Sequence, residues 1–85
     1  MAKRVLIVDD DPDLAALLRT KLELRGIEVR VALDGPLALQ EAQRFRPDLI
    51  ILDIMFPAGG GLTVLQRLKL SVFTNTKPIV VVTAS

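Results

Sequence analysis

The sequence contains no cysteine and no histidine among its 85 residues. The lack of cysteine excludes disulfides and thiolate metal sites, and it fits a reducing compartment. The lack of histidine excludes a histidine general base, imidazole zinc ligands and phosphohistidine chemistry within the chain. Aromatic residues make up only 4% against 51% hydrophobic residues, so the predicted core consists of Leu, Ile, Val and Ala.

Long hydrophobic runs and an excess of one charge are also missing. No apolar stretch reaches the roughly 20 residues of a membrane helix. Eleven basic residues balance ten acidic ones for a net charge of +1, without a long run of one sign. We therefore expect a cytoplasmic protein with neither a membrane nor a nucleic acid as a direct partner. The length predicts one small domain over residues 1–85.

Four short apolar runs predict β-strands, at 4–8, 27–31, 48–52 and 78–82. Segments with helical periodicity lie between them. A first helix is predicted with Asp11 as its N-cap, Pro12 in its first turn and its end near Gly26. A second covers about 36–45, and a third follows the glycines at 59–61. Leucine stripes are expected to pack in the core; they comprise Leu14, Leu17, Leu18 and Leu22, and Leu62, Leu65 and Leu68.

Strands that alternate with helices predict an α/β fold with a doubly wound parallel sheet and the element order βαβαβαβ. The second strand alternates polar Glu28 and Arg30 with apolar residues, as an edge strand with one wet face does. The other three strands are almost continuously apolar, which is typical of strands covered on both faces. These patterns of polar and apolar residues predict the strand order 2-1-3-4, which opens a crevice at the carboxyl ends of strands 1 and 3.

Acidic and hydroxyl residues follow the strands at this predicted crevice. Asp9 and Asp10 follow the first strand, Asp53 follows the third and Thr83 the fourth. Converging carboxylates repel one another, and a divalent cation relieves that repulsion. Oxygen ligands without histidine or cysteine indicate Mg²⁺, which accepts one or two carboxylates together with a phosphate. An aspartate can itself accept a phosphoryl group, and the central Asp53 is the candidate.

Structural interpretations of the same residues stay open at this point. Asp11 and Asp13 are explained as helix-start residues, and a lone strand-end Asp53 or Thr83 is commonly a cap or a turn residue. The acidic pair beside Asp53 is what favours the functional interpretation. Lys3 and Arg4 are expected to be solvated surface charges.

Four segments of the chain are informative when taken together: "VLIVDDDPD", "ALDGPLAL", "PDLIILDIMFPAGGG" and "KPIVVVTAS". With them the chain resembles the receiver domain of two-component response regulators, of the chemotaxis-receiver type. The resemblance covers the whole chain and implies a flavodoxin-like fold. It implies that Asp53 is phosphorylated, that Asp9 and Asp10 place Mg²⁺, and that the backbone carbonyl of Met55 is a further metal ligand. It also implies Thr83 as the switch hydroxyl and Ala84 as a backbone N–H donor. The implied phosphoryl donor is a sensor histidine kinase or a histidine phosphotransfer protein.

The chain departs from this family in length, because a complete receiver continues after the switch threonine with further strand and helix units and an essential lysine. Lys77 precedes the fourth strand and cannot replace that lysine. The sequence thus resembles a receiver truncated at its C-terminus. Because strand 78–82 is apolar, it should not be a bare edge. Truncation is the preferred explanation, and a homodimer through strand 78–83 is the alternative.

The predicted function is that of a phospho-acceptor signalling domain and not of an enzyme. A phosphatase of the haloacid dehalogenase type would require a carboxylate two residues after Asp53, where Met55 stands. The alternative function is a receiver-like interaction or dimerisation module that is not phosphorylated.

Overall fold

A computed structural model describes residues 2–53, 66–67 and 79–82. The described secondary structure consists of four strands and two helices, with residues 66 and 67 in helical conformation. The three leucines of the predicted second stripe, Leu62, Leu65 and Leu68, lie outside the described residues. In chain order the elements are β1 (Arg4–Val8), α1 (Pro12–Glu23), β2 (Glu28–Ala32), α2 (Gly35–Phe45), β3 (Leu49–Asp53) and β4 (Ile79–Val82).

The strands form one parallel sheet in the order β2-β1-β3-β4, as the sequence predicts. In the register, Val8 lies beside Ala32 of β2 and beside Leu52 of β3. Asp53, the last residue of β3, lies beside Val82 of β4. All four strands point the same way, so residues that follow β1 and β3 come to one edge of the sheet.

The two faces of the sheet carry separate apolar clusters because successive strand residues point to opposite sides. The first cluster packs against α2, and the second packs against α1. Helices on both faces identify a doubly wound sheet. Buried residues of the first cluster are Leu6, Val8, Ala32, Ala38, Ala42, Ile50 and Leu52, and those of the second are Val5, Ile7, Ala15 and Val29.

Helix α1 begins where the sequence predicts and ends slightly before Gly26. The Asp11 side chain accepts hydrogen bonds from the backbone N–H groups of Asp13 and Leu14. The helix ends at Glu23, and Gly26 follows with φ 80°, a left-handed conformation that glycine adopts without strain. The N–H of Ile27 still donates to the carbonyl of Leu22. Strand β2 therefore begins one residue later than predicted.

The predicted leucine stripe of α1 is correct for three residues and wrong for one. Leu18 and Leu22 pack against the second cluster, and Leu14 is partly buried. Leu17 is 53% exposed. The helix buries a narrow stripe and directs Leu17 away from the sheet.

At the amino ends of the strands, Arg4 is an exposed charge, as predicted, and it also contacts several neighbours. Its Nη1 donates to the Phe45 carbonyl at 3.0 Å, and its Nε lies 3.6 Å from Glu28 Oε1. Its guanidinium and that of Arg30 each lie 5.6 Å from the centre of the Phe45 ring. The Arg4 backbone N–H donates to Asp48 Oδ2 at 2.8 Å. This group, Arg4 with Glu28, Arg30, Phe45 and Asp48, is termed the arginine cluster.

No helix among the described residues is long and apolar enough to span a bilayer.

Candidate metal and phosphoryl site

Asp9 is the first residue after β1, and two backbone groups fix its position. Its own N–H donates to the Ala32 carbonyl at 3.1 Å, which continues the pairing of β1 with β2. Its carboxylate Oδ1 accepts a hydrogen bond of 2.9 Å from the N–H of Asp11. The residue is 5% exposed. Asp9 is therefore a buried carboxylate whose backbone and side chain are both held in place.

Asp53 ends the neighbouring strand β3 and is also 5% exposed. Strand β3 lies between β1 and β4, so Asp53 stands at the middle of the sheet's carboxyl edge. The four residues before it are apolar, and Ile50 and Leu52 are fully buried. The buried strand thus provides a rigid support for the Asp53 carboxylate.

Asp10 completes a compact group of carboxylates that is termed the acidic cluster. One carboxylate oxygen from each of Asp9, Asp10 and Asp53 can be chosen so that all lie within 4.8 Å of one another. Asp10 is exposed, whereas the other two residues are buried. The cluster therefore opens to solvent on the side of Asp10, and a small ion can reach it.

Burial and neighbouring charge act together on Asp9. Burial, the largest effect, raises the pKa of its carboxyl group above the usual value of 3.8, and the hydrogen bond from Asp11 N–H opposes that rise. The negative charges of Asp53, Asp10 and Asp11 raise the pKa further. An ionised Asp9 is therefore costly as long as no positive charge is close to it.

The donor set of the acidic cluster fits Mg²⁺. All three groups are carboxylates, the hard oxygen ligands that this ion prefers, and the exposed side leaves room for water or a phosphate oxygen. A cation there would offset the repulsion that raises the pKa of Asp9. Among the described residues, Asp9, Asp10 and Asp53 are the ones that would hold the ion.

The structure brings together three of the site residues predicted from the sequence, and the others are outside its described part. Asp9, Asp10 and Asp53 converge at the carboxyl edge of the sheet. Met55, Thr83 and Ala84 lie outside the described residues, as does Lys77.

A role of the Asp11 backbone was missed by the sequence analysis. Asp11 is predicted there as the N-cap of α1, and its N–H bond to Asp9 Oδ1 is not anticipated. The available signal is the spacing, because an aspartate side chain commonly accepts from the backbone N–H two residues later.

Comparison with known proteins agrees with this geometry. Residues 5–85 match the response regulator receiver domain, and the chain belongs to this family of two-component signalling domains. It is 44% identical over 84 residues to the response regulator PleD of Caulobacter vibrioides, covering 99% of this chain and 18% of PleD. The chain thus spans less than a fifth of the length of that relative.

Solved structures show the same fold. The N-terminal domain of a response regulator receiver protein from Methanoculleus marisnigri superposes with a TM-score of 0.89 at 33% identity, over 96% of this chain and 67% of that one. A structure of the histidine kinase ThkA in complex with the response regulator TrrA gives a TM-score of 0.84 at 35% identity, over 96% and 69% of the two chains. The flavodoxin-like receiver fold predicted from the sequence is confirmed.

Proposed function

We propose that this receiver domain accepts a phosphoryl group on Asp53 with the help of Mg²⁺ held by Asp9, Asp10 and Asp53. The observation that carries the proposal is the position of the Asp53 carboxylate. It is buried at the centre of the sheet's carboxyl edge, and one of its oxygens lies within 4.8 Å of oxygens of two other carboxylates. A structural cap or turn residue has no need of such an acidic neighbourhood.

In the proposed transfer, a carboxylate oxygen of Asp53 attacks the phosphorus of the donor and forms an acyl phosphate. The bond between phosphorus and the donor's nitrogen or oxygen breaks, and the leaving atom keeps the electron pair. Bound Mg²⁺ supplies positive charge that offsets the negative charge of the phosphoryl oxygens. Asp9 and Asp10 contribute by holding that charge beside Asp53.

Further roles are proposed from the family resemblance alone. The backbone carbonyl of Met55 is a further metal ligand, Thr83 is the switch hydroxyl and the Ala84 N–H contacts the phosphoryl group. We also propose that residues 1–85 form a single receiver unit located in the cytoplasm.

The proposed phosphoryl donor is a histidine kinase or a histidine phosphotransfer protein. The chain has no histidine, so the phosphohistidine must belong to a partner. The similarity to TrrA, which was solved in complex with the histidine kinase ThkA, supports a kinase in this role.

The alternative is a module that is not phosphorylated and acts by association, including a homodimer through strand 78–83. One observation favours considering it. In the described part of the sheet, β4 has a strand neighbour, β3, on one side only. An apolar strand with an unpaired side can pair with a second copy.

Intact-mass spectrometry after incubation with acetyl phosphate and Mg²⁺ tests the proposal. We expect one phosphoryl adduct on the wild-type chain, with acetate as the leaving group. The adduct should be absent without Mg²⁺ and absent in Asp53→Asn. Asp48→Asn is the matched control, because Asp48 precedes the same strand but lies at its opposite end, and it should react like the wild type. A folded wild-type chain without an adduct would favour the association module.

A further inference from the structure

Helices α1 and α2 begin with aspartate caps that are closely matched. Asp11 Oδ1 accepts from the N–H groups of Asp13 at 3.0 Å and Leu14 at 3.3 Å. Asp34 Oδ1 accepts from the N–H of Leu37 at 2.8 Å. Both caps are followed by a proline in the first helical turn. As helix caps, the two residues should contribute similar amounts to stability, and the chain therefore contains an internal control.

The two caps differ in whether they are hydrogen-bonded to the acidic cluster. The Asp11 side chain accepts hydrogen bonds from α1, while its backbone N–H donates to Asp9 Oδ1 at 2.9 Å. One residue thus connects the first turn of α1 to a buried carboxylate of the acidic cluster. No hydrogen bond described for Asp34 reaches that cluster.

Two hydrogen bonds to different elements hold Asp9. Its N–H is bound to Ala32 at the end of β2, and its Oδ1 is bound to Asp11 at the start of α1. The first bond fixes the backbone, and the second fixes the rotation of the carboxylate. A single carboxylate oxygen, Oδ2, then remains free of the Asp11 bond.

We infer that Asp11 is a positioning residue, which by capping α1 directs its own N–H at Asp9 and so orients that carboxylate toward the ion. The Asp11 carboxylate is occupied by the helix and is not among the converging oxygens of the acidic cluster. Asp11 therefore acts through the geometry of Asp9 and not as a ligand. This inference rests on the proposed function, because it assigns Asp11 to the same Mg²⁺ site.

The test compares Mg²⁺ dissociation constants of the 85-residue chain, measured by isothermal titration calorimetry. Asp11→Ala removes the cap and should weaken binding about tenfold, as the loss of groups that orient metal ligands commonly does. Asp11→Asn keeps the capping oxygen and removes the charge, so binding should stay within about threefold of the wild type. Asp34→Ala removes the matched cap and should leave the affinity unchanged.

Two results would overturn the inference. If Asp11→Asn weakens binding as much as Asp11→Ala, the charge of Asp11 is what matters and not its cap. If Asp34→Ala weakens binding equally, the loss reflects a less stable fold. Urea unfolding of both alanine variants checks that the two caps are energetically comparable.

A second measurement separates this inference from the proposed function. Hydrogen exchange of the residue 11 amide is followed by NMR in the metal-free chain, where it reports the bond to Asp9 directly. Exchange should be slow in the wild type and Asp11→Asn and much faster in Asp11→Ala. Equal protection in all three would overturn the inference, even if Mg²⁺ binds. A wild-type chain that does not bind Mg²⁺ would instead overturn the proposed metal site, whatever the exchange rates are.

Discussion

The two ends of the sheet differ in how their charged residues are arranged. At the amino ends of the strands, Arg4 lies 3.6 Å from Glu28 and donates to Asp48 and to the Phe45 carbonyl. At the carboxyl ends, Asp9, Asp10 and Asp53 converge with the same sign of charge. The arginine cluster pairs opposite charges within the chain, whereas the acidic cluster brings together three groups of the same charge that could hold a cation.

The difference separates a stabilising end of the sheet from the end that carries the proposed site. Hydrogen bonds and opposite charges in the arginine cluster favour the folded state. Burying Asp9 among carboxylates opposes folding and persists because the strands hold it there, which is typical of sites kept for function at a cost in stability. We therefore expect substitutions at the first end to change stability alone. Substitutions that remove a carboxylate at the acidic end should raise stability and weaken ligand binding.

The largest effect on stability is expected from a substitution in the core between the two ends of the sheet. Leu6 is fully buried in the middle of β1, and Leu6→Ala should lower the free energy of unfolding by about 2 to 5 kcal/mol. Leu24→Ala, at a residue 81% exposed, should change it by less than about 0.5 kcal/mol. Urea unfolding followed by circular dichroism measures both. If only one end of the sheet loses amide protection in Leu6→Ala, the ends are not one cooperative unit.

Mg²⁺ should give the next largest effect, confined to the acidic end. At a hundredfold excess over the dissociation constant, a ligand that binds only the folded state adds about 2.7 kcal/mol to the free energy of unfolding. Asp10→Asn should abolish most of this gain. Asp13→Asn, on α1 and outside the acidic cluster, should keep it. Thermal unfolding with and without Mg²⁺ measures the gain, and equal gains in all three chains would contradict the assignment.

Arg4→Ala tests the opposite end and should lower the free energy of unfolding by about 1 kcal/mol, because one hydrogen bond to the Phe45 carbonyl is lost. Arg19→Ala breaks only an exposed pair with Glu23 one turn away on α1, and about 0.3 to 0.5 kcal/mol is expected. Calorimetric titration should give the same Mg²⁺ affinity for both variants as for the wild type. A weaker affinity in Arg4→Ala would show that the two ends are coupled.

The smallest effect is the pH dependence contributed by Asp9. Burial and the neighbouring negative charges raise the pKa of this carboxyl group in the folded state. At pH values between 3.8 and the raised pKa, Asp9 is therefore protonated to a greater extent in the folded chain than in the unfolded chain. The contribution of Asp9 to stability therefore falls as pH rises through that window and stays at its lower level above it.

Asp9→Asn removes this titration and keeps an oxygen that can accept from Asp11 N–H. In the absence of Mg²⁺, its stability relative to the wild type should increase from about pH 4 upward and then level off. Urea unfolding of the two chains across this range gives the difference. A difference that is constant with pH would mean that the Asp9 carboxyl group does not have a raised pKa.

The fold could be predicted from the sequence because its strands and the start of α1 each have a recognisable local sequence pattern. Alternation in β2 identified the edge strand, and continuous apolar runs identified the covered strands, which together gave the order β2-β1-β3-β4. The start of α1 was predictable from Asp11 and Pro12. The errors came from contacts that no local pattern contains. Leu17 has the spacing of a core residue, but the sheet covers a narrower stripe of α1 than its leucines define.

The convergence of Asp9, Asp10 and Asp53 was predictable for a topological reason, since the carboxyl ends of parallel strands meet at one edge. The hydrogen bond from Asp11 N–H to Asp9 was not, because it depends on how the chain turns from β1 into α1. The arginine cluster was missed for a related reason. Arg4 and Asp48 are 44 positions apart, and nothing in the sequence near Arg4 indicates its partner.

The same separation affects the order in which the chain can fold during synthesis. Strand β1 lies between β2 and β3, yet β3 is made about 44 residues after it. At 5 to 20 residues per second, a ribosome takes roughly 2 to 9 s to make that stretch. During this interval β1 can pair with β2 alone, and its other edge stays open to foreign strands. A nascent chain therefore spends seconds with the largely apolar strand β1 paired on one side only, and this is when it is most exposed to misassociation.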